Sequence, residues 1–198
     1  MYIKKGILGR VQFPKENRFV KNVTSILSVK IFLYIASTVT SIYLTRILGA
    51  EGKGELAIVT SVYGVVLQFG CLGIHSAHTY YISKDRRVVK KCEGDNIVLT
   101  GLILLLVFFL LPFFGTHSTI LNLNGFLLVI ALLLGPLNLF IMLQENLFIA
   151  IGCVKQHNVI EVLNNVLYFC PLFLLSFFIK ITVETVSVCI LVSTIIIV

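Results

Sequence analysis

The chain has 198 residues, of which 58% are hydrophobic and 13% are charged, and its formal net charge is +7. Soluble domains carry about a quarter charged residues, so a soluble fold of this length would lack the polar surface to cover itself. The composition excludes an ordinary soluble domain and predicts an all-α, polytopic integral membrane protein.

Residues 1–21 form a basic tail. Six Lys or Arg residues are spread across it, and the first long apolar run begins only at about Asn22. A cleavable signal peptide needs a short apolar core soon after its charges and then a small-residue cleavage site, and neither is present. Such a tail resembles a nucleic-acid patch or a surface helix. The cytoplasmic flank of a first membrane helix explains it better, so we expect no nucleic-acid partner.

The rest of the chain, 22–198, is predicted to form a lobe of six transmembrane helices joined by short connections. A membrane-crossing helix needs about 20 mostly apolar residues. The connections leave no room for a soluble domain between the helices. The candidate spans are residues 22–45, 56–82, 97–114, 123–151, 159–179 and 183–198.

Basic residues predict the orientation of these spans. With the N-terminus inside, the inner segments hold the six tail residues, the five of the loop 83–96 and Lys155, twelve in all. The outer loops then hold only Arg46, Lys53 and Lys180. Cytoplasmic loops are enriched in Lys and Arg, so a cytoplasmic N-terminus is favoured. The basic residues of the inner loop, which are also candidates for binding anionic lipid, are Lys84, Arg86, Arg87, Lys90 and Lys91.

The first outer connection is the charged, glycine-rich segment "LTRILGAEGKGELAIVT", residues 44–60. Its glycines permit the backbone angles of a tight turn between two helices. Arg46, Leu48, Gly49, Gly54 and Ala57 fit the pattern R-x-L-G-x-x-x-x-G-x-x-A, which resembles polysaccharide biosynthesis membrane proteins of the O-antigen-flippase type. A second segment, "LQENLFIAIGCVKQHNVIEVLNNVL", is similar to the junction of the fourth and fifth helices in that family. Ala50 stands where the family often has proline.

The resemblance implies a transporter that moves a lipid-linked oligosaccharide or polysaccharide across the cytoplasmic membrane by alternating access. Members of this superfamily normally have twelve or more helices in two similar lobes, and this chain ends inside the apolar run "CILVSTIIIV". We therefore expect the N-terminal lobe of a longer transporter. The alternative is a half-transporter that dimerises. The expected partners are membrane lipid, the lipid-linked sugar, and a C-terminal lobe or a second copy.

Polar residues recur at helical spacing within several apolar spans, and they predict a central cavity. Intramembrane polar groups are costly and usually mark a pathway or a partner. At 1.5 Å per residue, Lys30 lies about 12 Å from the inner end of its helix, near the level of Glu145 and His75. We expect Lys30 to contact substrate phosphates and Glu145 to hold Lys30 in the empty site. The candidate cavity residues are Lys30, Tyr34, Gln68, His75, Asn138, Glu145, Asn164 and Tyr168.

Three of these assignments have alternatives. Lys30 and Glu145 are also compatible with a structural ion pair, and Lys30 with a side chain that reaches the inner headgroups. His75 fits a hydrogen-bonded packing histidine better than a residue that binds a ligand.

Glycine and proline predict how the helices pack and bend. Glycines 64, 70 and 73 are expected to let the second helix pack closely on a neighbour. Gly135–Pro136 is expected to kink the fourth helix.

Enzymatic chemistry finds no support in the sequence. None of the motifs GxSxG, HExxH, Walker A or the Rossmann fingerprint occurs. The five cysteines form no CxxC pair and no metal-site spacing, so we predict no disulfide, metal or cofactor. Besides the exporter of lipid-linked sugars, two functions stay open. One is a cation- or proton-coupled multidrug exporter of the same superfamily, and the other a non-transporting membrane scaffold.

Overall fold

The computed structural model describes residues 16–116, 124–176, 178 and 181–198, and within these ranges every element is a helix. Tail residues 1–15 and Lys180 lie outside the described residues. The elements, in chain order, are α1 (Glu16–Cys71), α2 (Ile74–Lys84), a 3-10 helix (Arg86–Val88), α3 (Val89–Thr116), α4 (Gly125–Ile151), α5 (Val154–Leu175) and α6 (Val183–Ile197).

Helix α1 contains the predicted outer hairpin as a one-residue bend. Gly49 has φ 72° and ψ −176°, a non-helical conformation that glycine adopts without a Cβ penalty. The bend separates a first arm (16–48) from a second arm (50–71). Lys53 Nζ donates a hydrogen bond across it to Ser41 Oγ at 3.1 Å. The arms extend further into the charged segment than the predicted spans, because Glu and Lys are good helix formers and hydropathy does not mark a helix end.

The predicted second span, 56–82, is broken in the structure. Leu72 and Gly73 have positive φ values of 40° and 75°, and α2 begins directly after them. Left-handed backbone cannot continue a right-handed helix, so the second arm and α2 are separate helices. Likewise α5 begins at Val154 rather than 159, since Gly152 (φ +86°) ends α4 and the following polar residues are already helical.

Helix α4 is the centre of the bundle. It contacts each of the other described α-helices, α1, α2, α3, α5 and α6. Four of its leucines are at most 1% exposed: Leu128, Leu134, Leu139 and Leu143. A helix that is apolar on all sides is expected in such a buried position. Because α4 is surrounded, the other helices turn their outer faces to the environment, and large apolar side chains on α3 are exposed.

Close packing on α4 uses glycine at two sites. A Cβ at Gly135 would lie 2.6 Å from Val66 Cγ1, and one at Gly70 would lie 2.8 Å from Ile103 Cδ1. The expectation of close approach is therefore met at Gly70, but it is wrong for Gly64 and Gly73, where a Cβ would meet nothing within 4 Å. At Gly73 the requirement is the positive φ instead.

Four described helices are long and apolar enough to cross a membrane. The first of these stretches is the 52-residue segment Val20–Cys71, which includes the bend at Gly49; α6, with 15 residues, is shorter. The prediction of an all-α polytopic membrane protein is confirmed. The division into a tail and six spans stays a prediction.

Candidate functional site

A cavity of about 610 Å³ lies between the two arms of α1, α5 and α6, and α4 adds one residue to its wall. Polar positions that recur every three or four residues place their side chains on one face of each helix, and these faces meet at the cavity. The hydroxyl and amide side chains that line it are Ser37, Thr40, Ser41, Thr60, Tyr63, Asn138, Asn164, Asn165, Tyr168, Ser193 and Thr194.

The lining carries little charge. Among the described residues that line the cavity, Lys53 is the only charged one, and none is Asp or Glu. Four aromatic rings, those of Phe32, Tyr63, Tyr168 and Phe169, and eight aliphatic side chains form the rest of the wall. Hydroxyl and amide groups bind neutral polar ligands, and aromatic faces suit the apolar faces of rings. The cavity therefore fits a neutral, hydroxyl-rich group better than a cation.

Two of the three lining amides are held by their own helices. Asn138 Nδ2 donates to Leu134 O at 2.9 Å, and Asn165 Nδ2 donates to Glu161 O at 3.0 Å. Because each amide is anchored through one N–H, its remaining donor and its carbonyl oxygen keep a fixed direction. Fixed donors and acceptors favour selectivity among polar ligands.

A charged cluster lies at one end of this cavity, the end that the predicted orientation places toward the cytoplasm. Lys30 Nζ on α1 forms a 3.0 Å ion pair with Glu161 Oε1 on α5, and His157 Nε2 lies 3.5 Å from Glu161 Oε2. The side chains of Lys30, Glu161 and His157 are 43%, 19% and 4% exposed. Glu145 on α4 is close enough to Lys30 and Glu161 to interact with both electrostatically. We call Lys30, Glu145, His157 and Glu161 the inner charge cluster.

The partner of Lys30 differs from the expected one. The depth estimate placed Lys30 and Glu145 at one level and paired them, whereas the hydrogen-bonded carboxylate is Glu161. Depth along a helix does not say which way a side chain points around it. The segment "HNVIEV" carried the missing signal, because His157 and Glu161 are four residues apart and share a face of α5.

Helices α1 and α5 are tied on both sides of the cavity. At the inner side, Asn158 Nδ2 donates to Ser25 Oγ at 3.0 Å, next to the Lys30–Glu161 pair. At the outer side, Tyr43 OH donates to Ser176 Oγ. The paired residues are 131 or 133 positions apart in the sequence, so the two helices run parallel and in register.

The eight predicted cavity residues separate into groups. Asn138, Asn164 and Tyr168 line the cavity, and Lys30 and Glu145 belong to the inner charge cluster. Tyr34 (70% exposed) and Gln68 (also exposed) are not part of the lining.

His75 lies on α2, away from the cavity lining. Its Nδ1 is 3.0 Å from Cys71 Sγ and its Nε2 is 3.0 Å from Ser76 Oγ. Both ring nitrogens are thus engaged by neighbours on the same stretch of chain, as the packing-histidine alternative requires.

Several lining residues were not predicted. Thr40, Thr60, Ser193 and Thr194 carry small hydroxyls that hydropathy treats as nearly neutral. Thr40 and Thr194 also donate to backbone carbonyls of their own helices, to Ala36 O and Ile190 O. Side chains with this local bonding are common in membrane helices, so sequence gives little sign that they face a cavity.

The basic inner loop and the outer hairpin motif are both at the surface. Lys84, Arg86, Arg87, Lys90 and Lys91 are all exposed. Asp85 Oδ1 accepts a hydrogen bond from Arg87 N at 3.0 Å and caps the 3-10 helix between α2 and α3. In the hairpin motif, Arg46, Gly49 and Gly54 are also exposed, and Gly49 supplies the bend.

Comparison with known proteins identifies a family that this chain matches. A family described as polysaccharide biosynthesis protein matches residues 19–198, which include all the described helices beyond the first three residues of α1. No curated protein and no solved structure matches the chain.

Proposed function

Because the chain belongs to the polysaccharide biosynthesis protein family, we propose that it is a transporter lobe that exports a lipid-linked oligosaccharide or polysaccharide across the cell membrane. The cavity would receive the sugar, and Lys30 would contact the phosphate that joins the sugar to its lipid. A C-terminal lobe or a second copy would complete the pathway for alternating access.

One observation carries this proposal: the polar part of the cavity wall consists of hydroxyls and amides set among aromatic and aliphatic side chains, and Lys53 is the one charge among the described lining residues. Sugars present many hydroxyl donors and acceptors, which such a wall can pair. A cationic drug needs a nearby carboxylate instead, because an unpaired charge is costly away from water. The carboxylates of the inner charge cluster lie outside the lining, and Glu161 is already paired with Lys30.

Binding by the purified chain in nanodiscs tests the proposal. We expect saturable binding of a diphosphate-linked lipid disaccharide and no competition from the tetraphenylphosphonium cation. Tight binding of the cation, with displacement by other lipophilic cations, would instead favour the multidrug exporter. No binding of either compound by a folded chain would favour the scaffold.

Replacement of Lys30 gives the first prediction. In cells, Lys30→Gln should abolish surface export of the polysaccharide while the protein stays in the membrane at its normal level, because the phosphate loses its cationic partner. Export is measured by surface labelling of the glycan, and protein by immunoblot of isolated membranes. Lys21→Gln, an exposed lysine on the same helix, is the matched control. Normal export by Lys30→Gln would contradict the phosphate contact.

A further inference from the structure

The inner charge cluster holds two carboxyl groups and one ammonium. Lys30 contributes the ammonium from α1, and Glu145 and Glu161 contribute the carboxyl groups from α4 and α5. His157 is the fourth titratable group that faces the cluster from the described helices. An incoming phosphate therefore meets the Glu161 carboxylate as well as the lysine, and like charges at close range repel.

Glu161 competes directly with any anion for Lys30. Its Oε1 is 3.0 Å from the ammonium, while 43% of the Lys30 side chain remains exposed and reachable by a ligand. A phosphate could approach that exposed side. Two anions on one ammonium would each weaken the binding of the other, so stable phosphate binding requires Glu161 to move away from Lys30.

The structure also offers a place for the withdrawn carboxylate. Among the described residues, Glu161 Oε2 is buried and has no hydrogen-bond partner, and both ring nitrogens of His157 are buried without one. The distance from Oε2 to His157 Nε2 is 3.5 Å, just beyond good hydrogen-bond length. A shift of a few tenths of an ångström would let a neutral imidazole, with its proton on Nε2, donate to the carboxylate.

We infer that Glu161 is a built-in competitor of the substrate: it holds Lys30 in the empty site and transfers to His157 when a lipid diphosphate binds Lys30. This inference rests on the proposed function and adds two positioning residues to it. The exchange keeps both Lys30 and Glu161 partnered, since the phosphate replaces Glu161 on Lys30 and His157 replaces Lys30 on Glu161.

Calorimetric titration of the full chain in detergent tests the exchange. The probe is farnesyl diphosphate, with farnesol as its uncharged counterpart and inorganic pyrophosphate as the lipid-free anion. Glu161→Gln should bind the probe between about threefold and tenfold more tightly, because a competing ion pair of modest strength is removed. In the Lys30→Gln background, Glu161→Gln should change nothing. Glu184→Gln, a distant carboxylate on α6 that is bonded to Asn124, is the matched control.

His157 supplies a second, independent test. His157→Leu removes the group that receives Glu161 and should weaken binding several-fold, whereas His157→Gln, which retains an N–H donor, should restore most of the affinity. A structural role alone would instead lower thermal stability equally in both variants. The two His157 variants test the exchange even if Glu161→Gln fails to fold.

The outcomes separate the two levels of the proposal. If Lys30→Gln binds the probe as the wild type does, the phosphate contact is wrong and the exchange is wrong with it. If Lys30→Gln loses binding but Glu161→Gln binds equally or more weakly than wild type, the contact stands and the exchange is wrong. Pyrophosphate binding as tight as that of farnesyl diphosphate would overturn a lipid diphosphate as the ligand.

Discussion

Gly135 is the residue at which α4 and the second arm of α1 come closest. Its absent Cβ would lie 2.6 Å from Val66 Cγ1 and 2.7 Å from Val66 Cβ, and both distances are too short for real carbon atoms. Rotation of the valine side chain about its Cα–Cβ bond does not move Cβ, so no rotamer removes both contacts. The two helices can pack at this distance only while position 135 has no side chain.

Gly135→Ala should therefore destabilise the protein by about 1–3 kcal/mol through overpacking. The measurement is the midpoint of thermal unfolding in detergent. Val66→Ala in the same chain should recover part of the loss, because it removes the methyl groups that clash. Gly101→Ala on α3, where a Cβ meets nothing within 4 Å, is the control and should be neutral or mildly stabilising. An unchanged midpoint for Gly135→Ala would contradict the close approach.

At the residue scale, the sequence identified the charged residues of the cluster more reliably than it identified which of them pair. Lys30 and Glu145 stood out because charges are rare in apolar helices, and both lie in the inner charge cluster. The pairing with Glu161 depends on how far α1 and α5 are rotated about their axes, and that rotation is set by packing against α4. Packing of this kind cannot be read from the spacing of residues in one helix.

At the scale of elements, the parallel register of α1 and α5 is the main arrangement around the cavity. Ser25 pairs with Asn158, and Tyr43 pairs with Ser176 further out. The Tyr43 ring also lies against that of Phe173, with centroids 5.8 Å apart. Because each tie sits at one end of the cavity, the two helices hold the cavity open between two fixed points.

Disulfide crosslinking should report this register. In a variant without native cysteines, the pairs Ser25→Cys with Asn158→Cys and Tyr43→Cys with Ser176→Cys should crosslink under mild oxidation. The exchanged pair Ser25→Cys with Ser176→Cys should not, since these positions lie at opposite ends of the helices. The chain is then cut between α4 and α5, and a crosslink is scored on a gel because it keeps the two fragments together. Efficient crosslinking of the exchanged pair would mean that the helices do not run parallel.

Helix boundaries were the least predictable feature of the elements. The apolar runs gave the centres of the helices, but α1 continues through Glu51, Lys53 and Glu55, and α5 begins before its apolar part. Charged residues with high helix propensity extend a helix into water at little cost. Glycine with positive φ ends or bends the chain at Gly49, Gly73 and Gly152, and sequence alone does not distinguish these glycines from the others.

At the scale of the whole molecule, the directions of the helices alternate. The second arm of α1 runs parallel to α4, since Val62 and Val66 pack near Leu128 and Leu132 while Cys71 packs near Leu139. The first arm runs parallel to α5, as the ties show. Apolar composition and the length of the apolar runs were sufficient to predict an all-α membrane bundle, because both follow directly from lipid as the solvent.

Orientation in the membrane yields a prediction for the whole protein. In intact cells, Glu51→Cys in the outer hairpin should react with a membrane-impermeant maleimide, and Lys90→Cys in the basic loop should react only after the cells are opened. Both positions are exposed, so a difference in labelling reports the side of the membrane rather than burial. A variant without native cysteines is again the background. The reverse pattern would place the N-terminus outside.

The two ties between α1 and α5 also govern how the cavity can be loaded. They close the gap between these helices at its inner and outer ends, while lining residues between them, such as Phe32, Val39 and Ser41, remain exposed. We therefore expect ligands to enter sideways, within the plane of the membrane. Loading would then follow two-dimensional diffusion, and its rate would scale with the number of ligand molecules per unit area of membrane rather than with their concentration in water.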